Sequence, residues 1–282
     1  MSAIPAGDVM KLRNMTGAPM MDCKAALEKA TGDMTKAVQI LRESNAAIQA
    51  KKGERETAEG RIAVYIDPAK QVGTILEMRC ESAPVAKNDS FIQLADEVVK
   101  HIGTSATPAK DADALLAQTM ASGKTIKDRI GDVVGLIREN MKPARFTKLT
   151  GGQFGSYVHF DGSVGVLIQV EGDKPAEVSL LKDVCMHITA KQPSAVRRED
   201  VDAAVVEKER EIAKSQAAAT GKPANIVEKI AEGKIKTWYA ENVLLEQPFV
   251  KDDSKTVGDL LKAAGLTVKK FIRYKVGELS AG

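Results

Sequence analysis

The sequence has little of what marks several classes of protein. Only 4% of its 282 residues are aromatic, so it lacks the material for the base-stacking platforms that bind single-stranded nucleic acids. The 41 Lys and Arg nearly balance the 38 Asp and Glu, and the formal net charge of +3 argues against nucleic acid or an anionic membrane as the main partner. No apolar run approaches the ~20 residues that span a bilayer. The N-terminus lacks the basic and apolar regions of a secretory signal.

Cysteine is also scarce. Cys23, Cys80 and Cys185 are widely spaced and form no C-x-x-C motif, which excludes a disulfide framework and a cysteine-type zinc site. Each lies among apolar residues, so we expect small buried side chains rather than reactive thiols. The pattern suits a reducing compartment and predicts a cytoplasmic protein.

Motifs for covalent chemistry are missing as well. The sequence has no phosphate-binding glycine loop, no dinucleotide fingerprint, no zinc-protease motif and no serine-hydrolase elbow. No pair among His101, His159 and His187 has the helical spacing of metal ligands. His101 and His187 are expected near helix C-termini, where the helix dipole stabilises a protonated imidazole, so a structural role is favoured for both. We therefore predict no metal site, no cofactor and no enzyme, but a surface that works by binding.

Residues 1–54 predict a compact helical domain. The turn Thr16–Pro19 ends a first helix, and apolar residues at three- and four-residue steps from Met20 to Ala30 mark the buried face of a second. Gly32 ends that helix and Asp33 caps a third. The pattern resembles the ubiquitin-associated type of three-helix domain. A core this small is marginal alone, so we expect it to dock on its neighbours.

The remainder reads as a duplicated unit, which predicts an α+β fold of two related subdomains over residues 55–152 and 153–282. Each copy combines a hairpin, a helix and a later strand, which predicts a small antiparallel sheet with helices on one face. The first copy has these elements at Arg61–Asp67, Val72–Cys80, Phe91–Gly103 and Arg145–Leu149, and the second at Ser156–Asp161, Val164–Val170, Val178–Thr189 and Phe271–Val276. About six extra residues enlarge the loop 81–90 of the first copy, which makes that loop a candidate for function.

The second copy carries an insertion at about 197–241. Two helical stretches, Asp200–Ala219 and Asn225–Tyr239, flank a break at Thr220–Pro223, which predicts an antiparallel helical hairpin. Its charges balance, so it is a solvated arm. Whether it is a spacer, an oligomer contact or a recognition element stays open.

Several long motifs resemble the elongation factor Ts family. They are TGAPMMDCKAAL at 16–27, VAKN at 85–88 and EQPFVKDDSKTVGDLL at 246–261, and the likeness runs in order from about Leu12 to Gly277. The resemblance implies a helical domain, two related core subdomains and a coiled-coil arm. It also implies a guanine nucleotide exchange factor that binds the GDP form of elongation factor Tu, expels Mg²⁺ and GDP, and holds the empty GTPase until GTP binds. No covalent bond is made.

Three groups of residues are the predicted contacts. The helical domain is expected to dock on the nucleotide domain of the GTPase through a set that includes two adjacent methionines, at least one of which must face outward: Arg13, Met20, Met21 and Lys24. The family places a strand histidine at His159, which implies a contact by the second subdomain away from the nucleotide.

The third group is the loop that the resemblance places at the Mg²⁺ site of the GTPase. Its residues are Ser82, Ala83, Pro84, Val85, Ala86 and Lys87. The family pattern T-D-F-V-A-K has an Asp and a Phe where this chain has Ala83 and Pro84. We expect Pro84 to hold Ala83 extended. Action at the site would then be steric, through Pro84, Val85 and the backbone.

The alternative from another class is a ribosome- or RNA-associated adaptor without exchange activity. Balanced charge and few aromatics disfavour it, and an enzyme is more remote because no nucleophile is paired with a base. The expected partner is elongation factor Tu, with no membrane and no direct nucleic acid. A homodimer of heterodimers is left open.

Overall fold

The computed structural model describes residues 4–219, 221 and 223–278, which form helices around small antiparallel sheets. The helices are α1 (Ala6–Thr16), α2 (Met20–Lys29), α3 (Met34–Lys52), α4 (Ala83–Ala86), α5 (Asp89–Thr104), α6 (Ala112–Leu116), α7 (Ile126–Ile137), α8 (Val178–Lys191), α9 (Ala203–Ala218), α10 (Ala224–Asn242) and α11 (Val257–Ala263). The strands are β1 (Glu59–Asp67), β2 (Val72–Cys80), β3 (Met141–Thr150), β4 (Gln153–Val158), β5 (Val164–Glu171), β6 (Pro248–Phe249), β7 (Asp252–Thr256) and β8 (Thr267–Lys275).

Two three-stranded antiparallel sheets, in the orders β1-β2-β3 and β4-β5-β8, confirm the predicted α+β class. The third strand of each sheet is longer than the sequence pattern predicted. β3 starts at Met141 because it pairs with β2 from Met141 opposite Cys80 to Thr150 opposite Val72, with a register shift between Glu77 and Met78. With β1 on its other side, β2 has hydrogen-bond partners along both edges.

Helices cover the outer faces of the sheets, and the inner faces pack on each other. α5 and α7 close the core of the first sheet, and α8 and α11 close that of the second. A third cluster, centred on the fully buried Ile62, Ile75 and Leu167, joins the two sheets. Because β2 is covered on both faces, eight of its nine residues are buried, as in a strand without a solvent face.

A buried carboxylate also links the two sheets. Glu77 on β2 is only 1% exposed, and its Oε2 accepts a hydrogen bond from Arg145 Nε at 2.6 Å. Its Oε1 accepts from the backbone N–H of Gly277, which follows β8, at 3.0 Å. Arg145 also donates from Nη2 to the carbonyl of Lys275 at 2.8 Å. The end of the second sheet is thereby tied to the first.

The N-terminal helices have a small core of their own and dock as expected. α3 extends to Lys52, near the end of the predicted domain, and it packs along α7 where Gly131 and Gly135 lie one turn apart on the same face. A Cβ at Gly135 would lie 2.1 Å from Asn45 Oδ1, so glycine permits this close approach. Arg138 at the end of α7 forms an ion pair with Asp22 of α2 at 2.5 Å.

The insertion forms the predicted helical hairpin. α9 and α10 run antiparallel and contact each other through small or aliphatic buried side chains: Ala213, Ala217, Ala231 and Ile235. Gly221 adopts φ +68° between them, whereas Thr220 and Lys222 of the predicted break lie outside the described residues. Within the described part of the chain, no helix has the length and apolarity needed to cross a membrane.

Candidate interaction surface

The predicted N-terminal contact residues all lie on the surface where α1 ends and α2 begins. Arg13 and Lys24 are exposed, and both methionines are exposed, Met20 by 39% and Met21 by 70%. The assignment of Met20 to the buried face of the helix was wrong. Met20 is the first residue of α2 and lies beyond the small core that Cys23 reaches. The result is a flexible apolar patch flanked by two cations, a composition suited to protein contact.

The backbone beneath this patch is held in place. Gly17 adopts φ +72° at the end of α1, a conformation that favours glycine. Cys23 is fully buried and its thiol donates to the Ala18 carbonyl at 3.5 Å. Burial raises the pKa of Cys23, so the thiol stays protonated and serves packing.

The loop after β2 is folded into a short helix rather than extended. Ser82 is anchored to Glu139, which accepts from its hydroxyl at 2.7 Å and from its backbone N–H at 3.1 Å. Ala83 then begins α4, so the prediction that Pro84 holds it extended was wrong. The first turn of a helix accepts proline because its N–H groups have no intrahelical partner.

The six loop residues do not all reach the surface. Val85 and Ala86 are buried in the core of the first sheet, so the expected steric contact by Val85 is wrong. Ala83, Pro84 and Lys87 are exposed. The loop can therefore present a proline ring, a methyl group and an ammonium to a partner.

His159 follows β4 and lies in the turn between β4 and β5, one residue past the strand in which it was predicted. Its Nδ1 lies 3.0 Å from Tyr157 Oη, and its backbone N–H donates to the Val164 carbonyl at 2.8 Å. The ring of Phe160 lies 4.6 Å from the imidazole and is 91% exposed. Sequence reasoning missed Phe160, although an aromatic residue in a turn that ends in Asp-Gly was a signal for it.

One arginine of β1 contacts both the loop helix and this turn. Arg61 donates from Nη1 to the Ala86 carbonyl at 3.5 Å. A Cβ on Gly162 would lie 3.2 Å from Arg61 Cζ. The neighbouring Ile62 N–H donates to the Gly162 carbonyl at 2.8 Å. α4 and the β4–β5 turn thus lie side by side on β1, although about 70 residues separate them in the chain.

The other two histidines have structural roles. His187 is fully buried, and its Nε2 lies 2.8 Å from Gln247 Oε1 while its Nδ1 accepts the Val250 N–H at 3.2 Å. Burial lowers the pKa of His187, so the expected dipole-stabilised cation is wrong and the ring is neutral. His101 Nε2 lies 2.9 Å from Gln118 Oε1.

The remaining thiols are inert, as predicted. Burial raises the pKa of Cys80 to about 12 and also raises that of Cys185. Among the described residues, no cluster of His, Cys, Asp and Glu could hold a metal ion.

A cavity of about 600 Å³ lies between the α1–α2 turn and the helices α5 and α7. Four of its charged side chains form ion pairs with each other. Arg129 Nε lies 2.7 Å from Glu97 Oε2, and Lys124 Nζ lies 2.5 Å from Asp132 Oδ2.

Comparison with known proteins gives a consistent result. A family model described as "Elongation factor TS" matches residues 84–278. A protein of Aquifex aeolicus named Elongation factor Ts is 41% identical, and the match covers 98% of this chain and 99% of that protein. One of the same name from Thioalkalivibrio sulfidiphilus is 41% identical, over 98% of this chain and 92% of its own.

Proposed function

This chain belongs to the elongation factor Ts family, and we propose that it is a guanine nucleotide exchange factor for elongation factor Tu. Exchange of this kind makes no covalent bond. A partner that binds the nucleotide-free shape of a GTPase more tightly than the GDP-bound shape must weaken GDP binding by the same factor. The protein therefore needs contacts that discriminate between the two shapes.

The observation that supports the proposal is that the predicted contact residues lie in two surface regions built on one frame. Met20 and Met21 lie at the N-terminal helices, which are docked on α7. Pro84 and His159 lie on α4 and the β4–β5 turn, which meet at β1. Two regions held at a fixed separation can use binding energy to reorient one part of a GTPase against another.

The patch, α4 and His159 each have a different role in the proposal. The Met20–Met21 patch holds the nucleotide domain, and α4 approaches the Mg²⁺ site. Ala83 and Pro84 carry neither a carboxylate nor an aromatic ring, so α4 displaces partner groups by shape and does not compete for the ion. His159 contacts a domain away from the nucleotide. Because Mg²⁺ bridges the protein and the phosphate oxygens of the nucleotide, disturbing its surroundings loosens GDP. The complex then holds the empty GTPase until GTP binds.

The test is release of a fluorescent GDP from elongation factor Tu of the same organism. We expect substoichiometric amounts of the chain to accelerate release, with turnover in the presence of excess GTP. Unaccelerated release would reject the proposal. A salt-sensitive shift of RNA on a gel, together with unaccelerated release, would favour the adaptor instead.

A further inference from the structure

Phe160 is the most exposed large apolar side chain in the described part of the chain, at 91%. A single exposed apolar residue is ordinary on a protein surface and needs no explanation by itself. Phe160 differs because hydrogen bonds fix the turn that carries it and its ring lies against the imidazole of His159. An aromatic ring held in this way loses little conformational entropy on binding, which is the property of an interface anchor.

The turn that carries the ring is fixed by several hydrogen bonds. The Gly162 N–H donates to the His159 carbonyl at 2.8 Å and closes a β-turn with Phe160 at its second position. Asp161 Oδ1 accepts from the Ser163 N–H at 2.9 Å and from its hydroxyl at 2.8 Å. Partial burial acts to raise the pKa of Asp161, but these bonds outweigh it and hold the pKa below its usual range. The carboxylate that braces the turn is therefore ionised at neutral pH.

The ring itself is positioned by its neighbours in sequence. The imidazole of His159 lies 4.6 Å from the phenyl ring, inclined by 56°, within the range of favourable aromatic pairs. The imidazole is in turn held by Tyr157 Oη at 3.0 Å. The three aromatic side chains therefore contact one another in sequence, from Tyr157 through His159 to the solvent-exposed ring of Phe160.

The turn adjoins the surface already described. Ile62 donates to the Gly162 carbonyl at 2.8 Å, and Arg61 contacts Gly162 and the Ala86 carbonyl of α4. The turn that carries the phenyl ring thus lies beside α4, which carries Pro84. Because this turn adjoins the surface that we propose binds the GTPase, the GTPase is the partner that we expect Phe160 to contact.

We propose that Phe160 is the apolar anchor of this surface and inserts its ring into an apolar pocket of the GTPase. This inference rests on the proposed exchange function and adds a contact residue to it. A second copy of the chain is the competing occupant and is distinguished by the test.

The test compares three variants in affinity for the nucleotide-free GTPase and in catalysed GDP release. We expect Phe160→Ala to weaken binding by about tenfold or more, since buried aromatic anchors carry much of the energy of an interface. Phe160→Leu retains apolar bulk and should lose less. Val178→Ala is the matched control, because Val178 is 81% exposed but lies at the start of α8. The melting temperature should be unchanged in all three, because both side chains contact mainly solvent.

The outcomes separate the inference from the proposed function. If the wild-type chain accelerates release and Phe160→Ala does so equally well, the inference is overturned and the function stands. If the wild-type chain does not accelerate release, both are rejected. If Phe160→Ala changes only the sedimentation of the free chain, the ring joins two copies and the inference is wrong.

Discussion

At the scale of single residues, the start of α2 gives the most direct test of binding. Met20 and Met21 are both exposed, so truncating either should remove contact area without opening a cavity in the small helical core. We expect at least one of Met20→Ala and Met21→Ala to weaken the complex with elongation factor Tu by about tenfold. Unfolding by urea should stay within about 0.5 kcal/mol of wild type, as for most surface substitutions.

The matched control for the methionines is Val250→Ala, since Val250 is also about half exposed but lies after β6. Titration calorimetry measures the affinity of each variant. Wild-type affinity in both methionine variants would remove the N-terminal patch from the interface.

His187 predicts a specific dependence of stability on pH. Its pKa in the folded chain is lowered, first by burial, which outweighs the bond to Gln247, and the charge of Lys191 lowers it further. The unfolded chain, with an ordinary histidine pKa near about 6.5, binds more protons than the folded chain below that value. Stability is therefore full above about pH 6.5 and is lost as the pH falls toward the folded pKa, by at most about 1.4 kcal/mol per pH unit.

The variant that isolates this effect is His187→Asn, whose amide oxygen can still accept the Val250 N–H. Its free energy of unfolding should fall less steeply than that of wild type between about pH 7 and about pH 5.5. Urea titrations at several pH values measure both slopes, and equal slopes would show that His187 titrates normally.

At the scale of elements, α4 carries the proposed action at the Mg²⁺ site. Replacing Ala83 and Pro84 together by glycine removes the exposed ring and methyl group and adds backbone freedom to a helix of four residues. We expect catalysed GDP release to slow by about tenfold or more, with a smaller change in affinity, because the loop acts through shape that is used in displacing GDP. Stopped-flow release of fluorescent GDP gives the rate.

The control replaces the exposed Ala203 and Ala204 by glycine in the first turn of α9, which adds similar backbone freedom to a helix away from α4. If the variant with Ala83→Gly and Pro84→Gly catalyses GDP release from elongation factor Tu at the wild-type rate, α4 is dispensable. The N-terminal patch and the second subdomain must then drive exchange.

An element could be predicted from the sequence where local patterns determine its structure, and could not where tertiary contacts determine it. The hairpins, the helical insertion and the burial of the cysteines follow from alternation, helical spacing and flanking apolar residues. The helical conformation of Ala83 and the burial of Val85 could not be predicted in this way. They depend on tertiary contacts, because Ser82 is anchored to Glu139 and Val85 packs into the core of the first sheet. Phe160 was missed for a related reason, since pattern reasoning ranks residues by periodicity and a turn has none.

At the scale of the whole molecule, the contact between the two sheets was not predictable from the duplicated pattern. The duplication indicated that helices cover one face of each sheet, but it did not indicate what packs on the other face. The repeat places glycines at Gly73 and Gly165, and each is a point of close approach between the sheets. A Cβ at Gly73 would lie 2.5 Å from the Phe154 ring, and one at Gly165 would lie 2.5 Å from Ile62 Cγ2. Both contacts join residues that are distant in the chain.

The whole-molecule prediction concerns Gly165, because the region that carries Pro84 and His159 spans both sheets and depends on this close approach. Gly165→Ala places a methyl group against the fully buried Ile62, whose β-branched side chain has little freedom to move aside. We expect the free energy of unfolding to fall by about 1–3 kcal/mol, the usual cost of overpacking a core. Exchange should weaken with it, since the sheets that carry α4 and the β4–β5 turn are pushed apart. The control is Gly233→Ala in α10, where an added Cβ would meet open space. This substitution should raise the free energy of unfolding by about 0.5–1 kcal/mol, because alanine is more stable than glycine inside a helix. If the sheets are packed as described, urea unfolding will show a lower free energy of unfolding for Gly165→Ala and a higher one for Gly233→Ala. A Gly165→Ala variant as stable as wild type would contradict this packing.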